Sequence, residues 1–244
     1  MPIAFRFKPI PLLATVLVVA LGIALGNWQA RRADEKIATQ QRLAQGAASA
    51  PLVLNGAPLA AADVEFRRVR VTGQFVRHWP LYLDNRPYQG RAGVYLLMPF
   101  RIEGSGMHVL VQRGWMARDP LARDKLPGFD TPAGTVTLDG VARQHTGHVM
   151  ELGEGPALAP GVIVQNTGPL QVARASGLKM LPFVLQQGAP AQPGGDDVNM
   201  GRAWPASGIG PEKHQGYAFQ WYALSAMAVV FFVVNGYRRG KPEN

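Results

Sequence analysis

The chain has 244 residues, 47% of them hydrophobic and 17% charged, with a formal charge of +9. The hydrophobic content excludes a disordered chain. The absence of cysteine excludes a disulfide framework, a thiolate zinc or copper centre, an iron–sulfur cluster and a cysteine nucleophile. Part of the charge sits in two short terminal tails, on Arg6, Lys8, Arg238, Arg239 and Lys241. The remainder is diffuse, as on a solvated surface. No nucleic-acid-binding module accompanies it, so no nucleic-acid partner is expected.

After a tail of residues 1–8, residues 9–30 carry no charged side chain. As a helix they would rise about 33 Å, enough to cross a hydrocarbon core. The run is longer than the roughly 7–15 apolar residues of a signal-peptide core. An uncleaved anchor is therefore expected, although Ala24-Leu25-Gly26 would also suit a cleavage site. Gly22 and Gly26 form a GxxxG, which lets helices approach closely in lipid. Residues 31–45 lack Pro and Gly and extend the helix, and 46–63 read as linker.

Residues 64–185 read as a β-rich domain. Val69 and Val71 alternate with arginines. Val94, Leu96, Met98 and Phe100 share one parity, and 108–113 and 135–140 alternate as well. Turns are expected at 84–87, 103–106 and 132–134, with a short helix at 168–177 and a late strand at 183–185. Residues 186–213 are rich in Gly and Pro and read as a long loop. Residues 214–237 form a second uncharged run, about 36 Å as a helix, with Tyr217, Trp221, Tyr222 and Tyr237 near its ends. Against the GxxxG it offers only a loose cluster of Ala223, Ser225, Ala226 and Ala228. The tail 238–244 is basic.

These signals predict a membrane protein. Two transmembrane helices flank a mainly β (α+β) extracytoplasmic domain, an antiparallel sheet or partial barrel. Basic tails place both termini in the cytoplasm. The Ala/Gly/Arg/Pro-rich composition, without mitochondrial targeting features, points to a bacterial inner membrane.

No nucleophile elbow, zinc-protease helix, phosphate loop or dinucleotide fingerprint occurs, so no enzymatic activity is expected. His145, His148 and Met150 would make a loose copper clip, or simply lie in a polar turn. His214 opens the second span and shares a helical face with Tyr217, Ala218 and Trp221. It suits a haem-iron ligand or a wet interfacial imidazole. Trp28, Gln29, Arg31 and Arg32 end the first span. An arginine there suits a propionate or an interfacial anchor.

Gly26-x-Trp28-Gln29-x-x-Arg32-x-x-x-Lys36 after a first span resembles the Surfeit-locus protein 1 family. So do Phe66 through Phe75, Leu83-Asp84-Asn85-Arg86, Gly93 through Pro99, and Val109 through Trp115 with its Arg113-Gly114-Trp115. His214 through Tyr222, at the start of a second span, completes the set. Gln112 stands where that pattern has Asn.

The resemblance implies a cytochrome c oxidase assembly factor that binds haem a and assists its insertion into the large catalytic subunit. In that reading it is a respiratory-chain chaperone in the cell inner membrane. It implies His214 as the iron ligand, surrounded by Trp28, Gln29, Arg32, Tyr217, Gln220 and Trp221. Implied partners are the oxidase large subunit and other assembly factors or haem a synthase. The alternative is a scaffold that stabilises oxidase intermediates without binding haem.

Overall fold

The computed structural model describes residues 8–119, 121, 126, 128–151, 153, 155–188, 200–204 and 210–238. The chain divides into two compact units. One holds the two terminal helical segments, and the other spans residues 42–206.

Helix α1 runs over Pro9–Ala48. Its prolines fall in the first turn, where a missing N–H costs nothing. The uncharged run passes into the helix-forming 31–45 stretch without a breaker. Pro51 ends the possibility of continuation, and Ser49 N–H closes the last turn on the Gln45 carbonyl at 3.1 Å. Both uncharged runs are helical, since the final helix, α4, covers Pro211–Arg238. α4 starts on a proline, with Glu212 in its first turn complementing the helix dipole. Only 11% of the most apolar stretch of each helix is buried within the protein, so neither is a core helix. Both are long and apolar enough to cross a membrane.

The two helices pack antiparallel. Along α1, Thr15, Val19, Gly22, Gly26, Gln29 and Ala33 are covered or half-covered. Along α4 the matching set is His214, Ala218, Trp221, Ser225, Ala228 and Phe232. Both sets alternate steps of four and three, the spacing of a left-handed helix pair. Gly22 makes the close approach possible, because a Cβ there would lie 2.1 Å from Ser225 Oγ. Gly26 lies against the Tyr222 ring. The GxxxG thus meets a serine and a tyrosine rather than a second small-residue stripe.

The other unit is sheet-rich. Its strands are β1 (Leu52–Leu54), β2 (Arg68–Phe75), β3 (Leu81–Leu83), β4 (Gly93–Ile102), β5 (His108–Ala117), β6 (Val136–Arg143), β7 (Ile163–Val164) and β8 (Met180–Gln187). Two short helices, α2 (Ala61–Val64) and α3 (Pro169–Ser176), complete it. β2, β6, β8, β5 and β4 close a five-strand barrel, the last link being β4 back to β2. The expected partial barrel is therefore closed. The β5–β8 pair is parallel, and the other barrel pairs are antiparallel.

At the β2–β4 seam only Gly73 fits, since a Cβ there would meet the Arg101 carbonyl at 2.0 Å. β1 lies within the expected linker and pairs parallel to β2 beyond that seam. The strand alternation has its expected result. Val69, Val71, Leu96, Met98, Phe100 and Val111 belong to an interior cluster. Leu97, Leu110, Val184 and Trp115 face a second cluster with β3, β7 and α3.

β3 escaped the sequence signal because all three of its residues are buried, leaving no alternation to read. The expected turn at 103–106 joins β4 to β5, with Ile102 N–H on the Met107 carbonyl. α3 begins on Pro169 and ends on Gly177 in the left-handed region (φ 73°). Of the expected loop 186–213, residues 189–199 and 205–209 lie outside the described residues. The two tails lie outside them as well, save Lys8 and Arg238. In the described part, Gly201 exchanges two backbone bonds with Trp115.

Candidate functional site

The residues expected to form a haem site all lie on α1 and α4, within one unit. His214 sits in the first turn of α4, and Gln29 lies at the end of the uncharged part of α1. His214 Nδ1 is 2.8 Å from Gln29 Oε1. An amide oxygen only accepts, so Nδ1 is the donor in this contact, and in the neutral ring Nε2 then keeps its lone pair. This is the arrangement found in metal-ligating histidines, whose second ring nitrogen donates to an oxygen. Among the described residues no hydrogen-bond partner holds Nε2.

The other expected residues surround this contact unevenly. Trp221 lies half-buried on the His214 face, two turns on. Tyr217 is 49% and Trp28 45% exposed, so each presents aromatic surface outward. Gln220 is exposed and lies away from the His214 face. Arg32 is held by Glu35, with Nη1 2.8 Å from Oε2, and its guanidinium carbon lies 6.0 Å from the Trp28 ring centre. An exposed pair of this kind contributes little energy, so Arg32 can exchange its carboxylate for another. Sequence reasoning missed one tie between the helices: Tyr222 donates to Asn27 Oδ1 at 2.7 Å. Polar residues within uncharged runs were the available signal.

The other motif blocks do different work. Arg113 is fully buried and points into the barrel. It donates to Thr131 Oγ1 at 2.6 Å and to the Asp130 carbonyl at 2.9 Å, and lies 4.5 Å from the Phe75 ring centre. A bulge in the β4–β5 ladder accommodates it, because Leu96 pairs Gly114 while Leu97 pairs Gln112. Trp115 faces the second cluster and donates from Nε1 to the Arg86 carbonyl at 2.7 Å. Arg86 in turn reaches the Gln165 carbonyl at 2.9 Å and the Gly147 carbonyl at 3.2 Å. Burial pulls the Arg86 guanidinium below its ordinary value, opposed by Tyr95 and Asp84.

These blocks therefore hold the barrel and its flanking loops together. His145, His148 and Met150 are exposed. Among the described residues no group of three or more His, Asp or Glu side chains could hold a metal ion.

Two paired, membrane-crossing helices and a closed five-strand barrel domain define a two-span membrane protein with a polar histidine contact at the end of its apolar segment. The chain belongs to the SURF1 family, whose sequence model matches residues 16–226. A SURF1-like protein of Monosiga brevicollis is 26% identical over 91% of this chain and 85% of its own length. An uncharacterized SURF1-like protein, Rv2235 of Mycobacterium tuberculosis, is 27% identical over 93% of this chain and 84% of its own. The cytochrome oxidase assembly protein SHY1 of Saccharomyces cerevisiae is 32% identical over 41% of this chain and 26% of its own length.

Proposed function

We propose that this protein is an assembly factor for the haem–copper oxidase that carries haem a on His214 at the membrane boundary. The observation behind the reading is the Gln29 amide oxygen 2.8 Å from His214 Nδ1. It fixes the imidazole as the tautomer whose Nε2 can enter a metal's coordination sphere. Bound haem a would supply an apolar macrocycle, an iron that could take a nitrogen ligand from His214, and two carboxylates.

The chain's own residues match those parts. Trp28, adjacent to Gln29 in sequence, and Tyr217, one turn from His214 on α4, present exposed aromatic surface. Arg32, paired with exposed Glu35 on its own helix and lying over the Trp28 ring, offers a guanidinium to a carboxylate. A single histidine ligand suits a carrier that must release its cargo.

The name of the yeast relative, a cytochrome oxidase assembly protein, supports the oxidase as client; in this reading the partners are its large catalytic subunit and other assembly factors or haem a synthase. In this reading the barrel domain is periplasmic, both termini are cytoplasmic, and the membrane is the bacterial inner membrane. The basic terminal tails support that orientation. The protein turns over no substrate.

The test is the reduced visible spectrum of detergent-purified protein from cells that make haem a. A haem a band that disappears in His214→Ala is the expected result. An unchanged band in that variant overturns the ligand assignment. Colourless wild-type protein from such cells overturns the carrier role in favour of a scaffold without haem.

A further inference from the structure

A second feature of the helix pair lies at its other end. Beyond the Gly22 contact, toward the start of α1 and the end of α4, the helices enclose a groove of about 330 Å³. The short side chains of Ala14, Val18 and Ala228 leave the space, and Phe231 and Phe232 border it. Lys8, just before α1 begins, also lines it. Phe231 is 70% exposed, so the groove opens toward the medium around the helices. In a membrane that medium is hydrocarbon.

We propose that this groove binds one acyl chain of an anionic phospholipid whose phosphate pairs with Lys8. Three observations select that occupant. The volume is at the lower end of small-ligand sites, and a helix about 10 Å across does not fit it. The lining is mostly apolar, Thr15 and Asn235 being its polar members beside Lys8, and it belongs to two helices apolar enough to cross a membrane. The cation stands where α1 begins, at the level where headgroups lie, so charge and apolar surface are arranged as in the lipid itself. The inference is independent of haem binding, since the groove and His214 lie at opposite ends of the pair.

The experiment is native mass spectrometry of the full chain in detergent, with phosphatidylglycerol or phosphatidylcholine of identical acyl chains. The wild type should retain the anionic lipid about fivefold better, the effect of one cation near a headgroup. Lys8→Gln should bring the two lipids to parity. Ala228→Leu and, separately, Ala14→Leu should fill the groove and reduce retention of both lipids. Ala223→Leu, at an exposed position on α4, should change neither. Equal retention of the two lipids by the wild type overturns the proposal. So does undiminished retention in folded Ala228→Leu and Ala14→Leu proteins.

Discussion

Gly22 and Ser225 stand so close that a single added methyl group at Gly22 would lie 2.1 Å from the serine hydroxyl oxygen. The helix pair therefore depends on the missing side chain at residue 22. In lipid, helices associate through packing and hydrogen bonds rather than through burial from water.

Gly22→Leu should consequently push α1 and α4 apart and lengthen both the Tyr222–Asn27 and the His214–Gln29 contacts. Thermal unfolding in detergent, followed by circular dichroism at a helix wavelength, should show a lower midpoint for Gly22→Leu. Gly216→Leu, whose new side chain meets open space, should melt like the wild type.

In the proposed site Gln29 would act through His214, as a positioning residue. Gln29→Leu removes the acceptor on Nδ1 and frees the ring to take the other tautomer. Loss of such a partner typically weakens metal affinity by about 10–100-fold. Haem a titration of purified protein should show that weakening, while Gln29→Glu, which keeps an acceptor oxygen, should retain binding. Equal affinities for wild type and Gln29→Leu would remove Gln29 from the site.

Arg113 should not tolerate lysine. The planar guanidinium donates to Thr131 and the Asp130 carbonyl at once while lying against Phe75. An ammonium reproduces neither the fork nor the flat face. Arg113→Lys should lower the stability of the barrel domain by about 1–3 kcal/mol, measured as a shift in the denaturant midpoint.

His108 makes the barrel domain acid-sensitive. Burial holds its imidazole below the ordinary value, with nearby Arg101 adding to the effect and the Lys179 carbonyl opposing it. The unfolded chain therefore binds the proton more readily than the folded one. The contribution is fully present above the unfolded value of about 6.5 and is lost as pH falls through the folded value. The wild type should lose more melting temperature between pH 7.5 and 5.5 than His108→Gln. Asp139, held low mainly by its hydrogen bond to Arg70, titrates well below this interval and leaves the comparison clean.

What could be read in advance followed local chemistry. Two charge-free runs became α1 and α4, alternation marked β2, β5 and β6, one apolar parity marked β4, and the apolar run 183–185 marked β8. The three strands that went unread, β1, β3 and β7, have two or three residues each. They exist only because partners distant in sequence supply their hydrogen bonds. The site was legible as residue types. The family resemblance grouped His214 with Gln29, but residue chemistry alone did not, since the two are 185 positions apart. No spacing rule connects positions so far apart. The Arg113 bulge was equally invisible, because it reflects a mismatch between two strands rather than a pattern in one.

The long crossover to β8 carries a consequence for biogenesis. β8 fills the barrel between β5 and β6 and is the last strand to leave the ribosome. Until it arrives, the β5 and β6 edges have no partner, and α4 has not yet been made. The first helix is then committed to the membrane while Gln29 waits for its histidine. The His214–Gln29 contact forms only after the chain has been translated past the whole barrel, so the ability to bind at this site would report that synthesis has passed the barrel and reached α4.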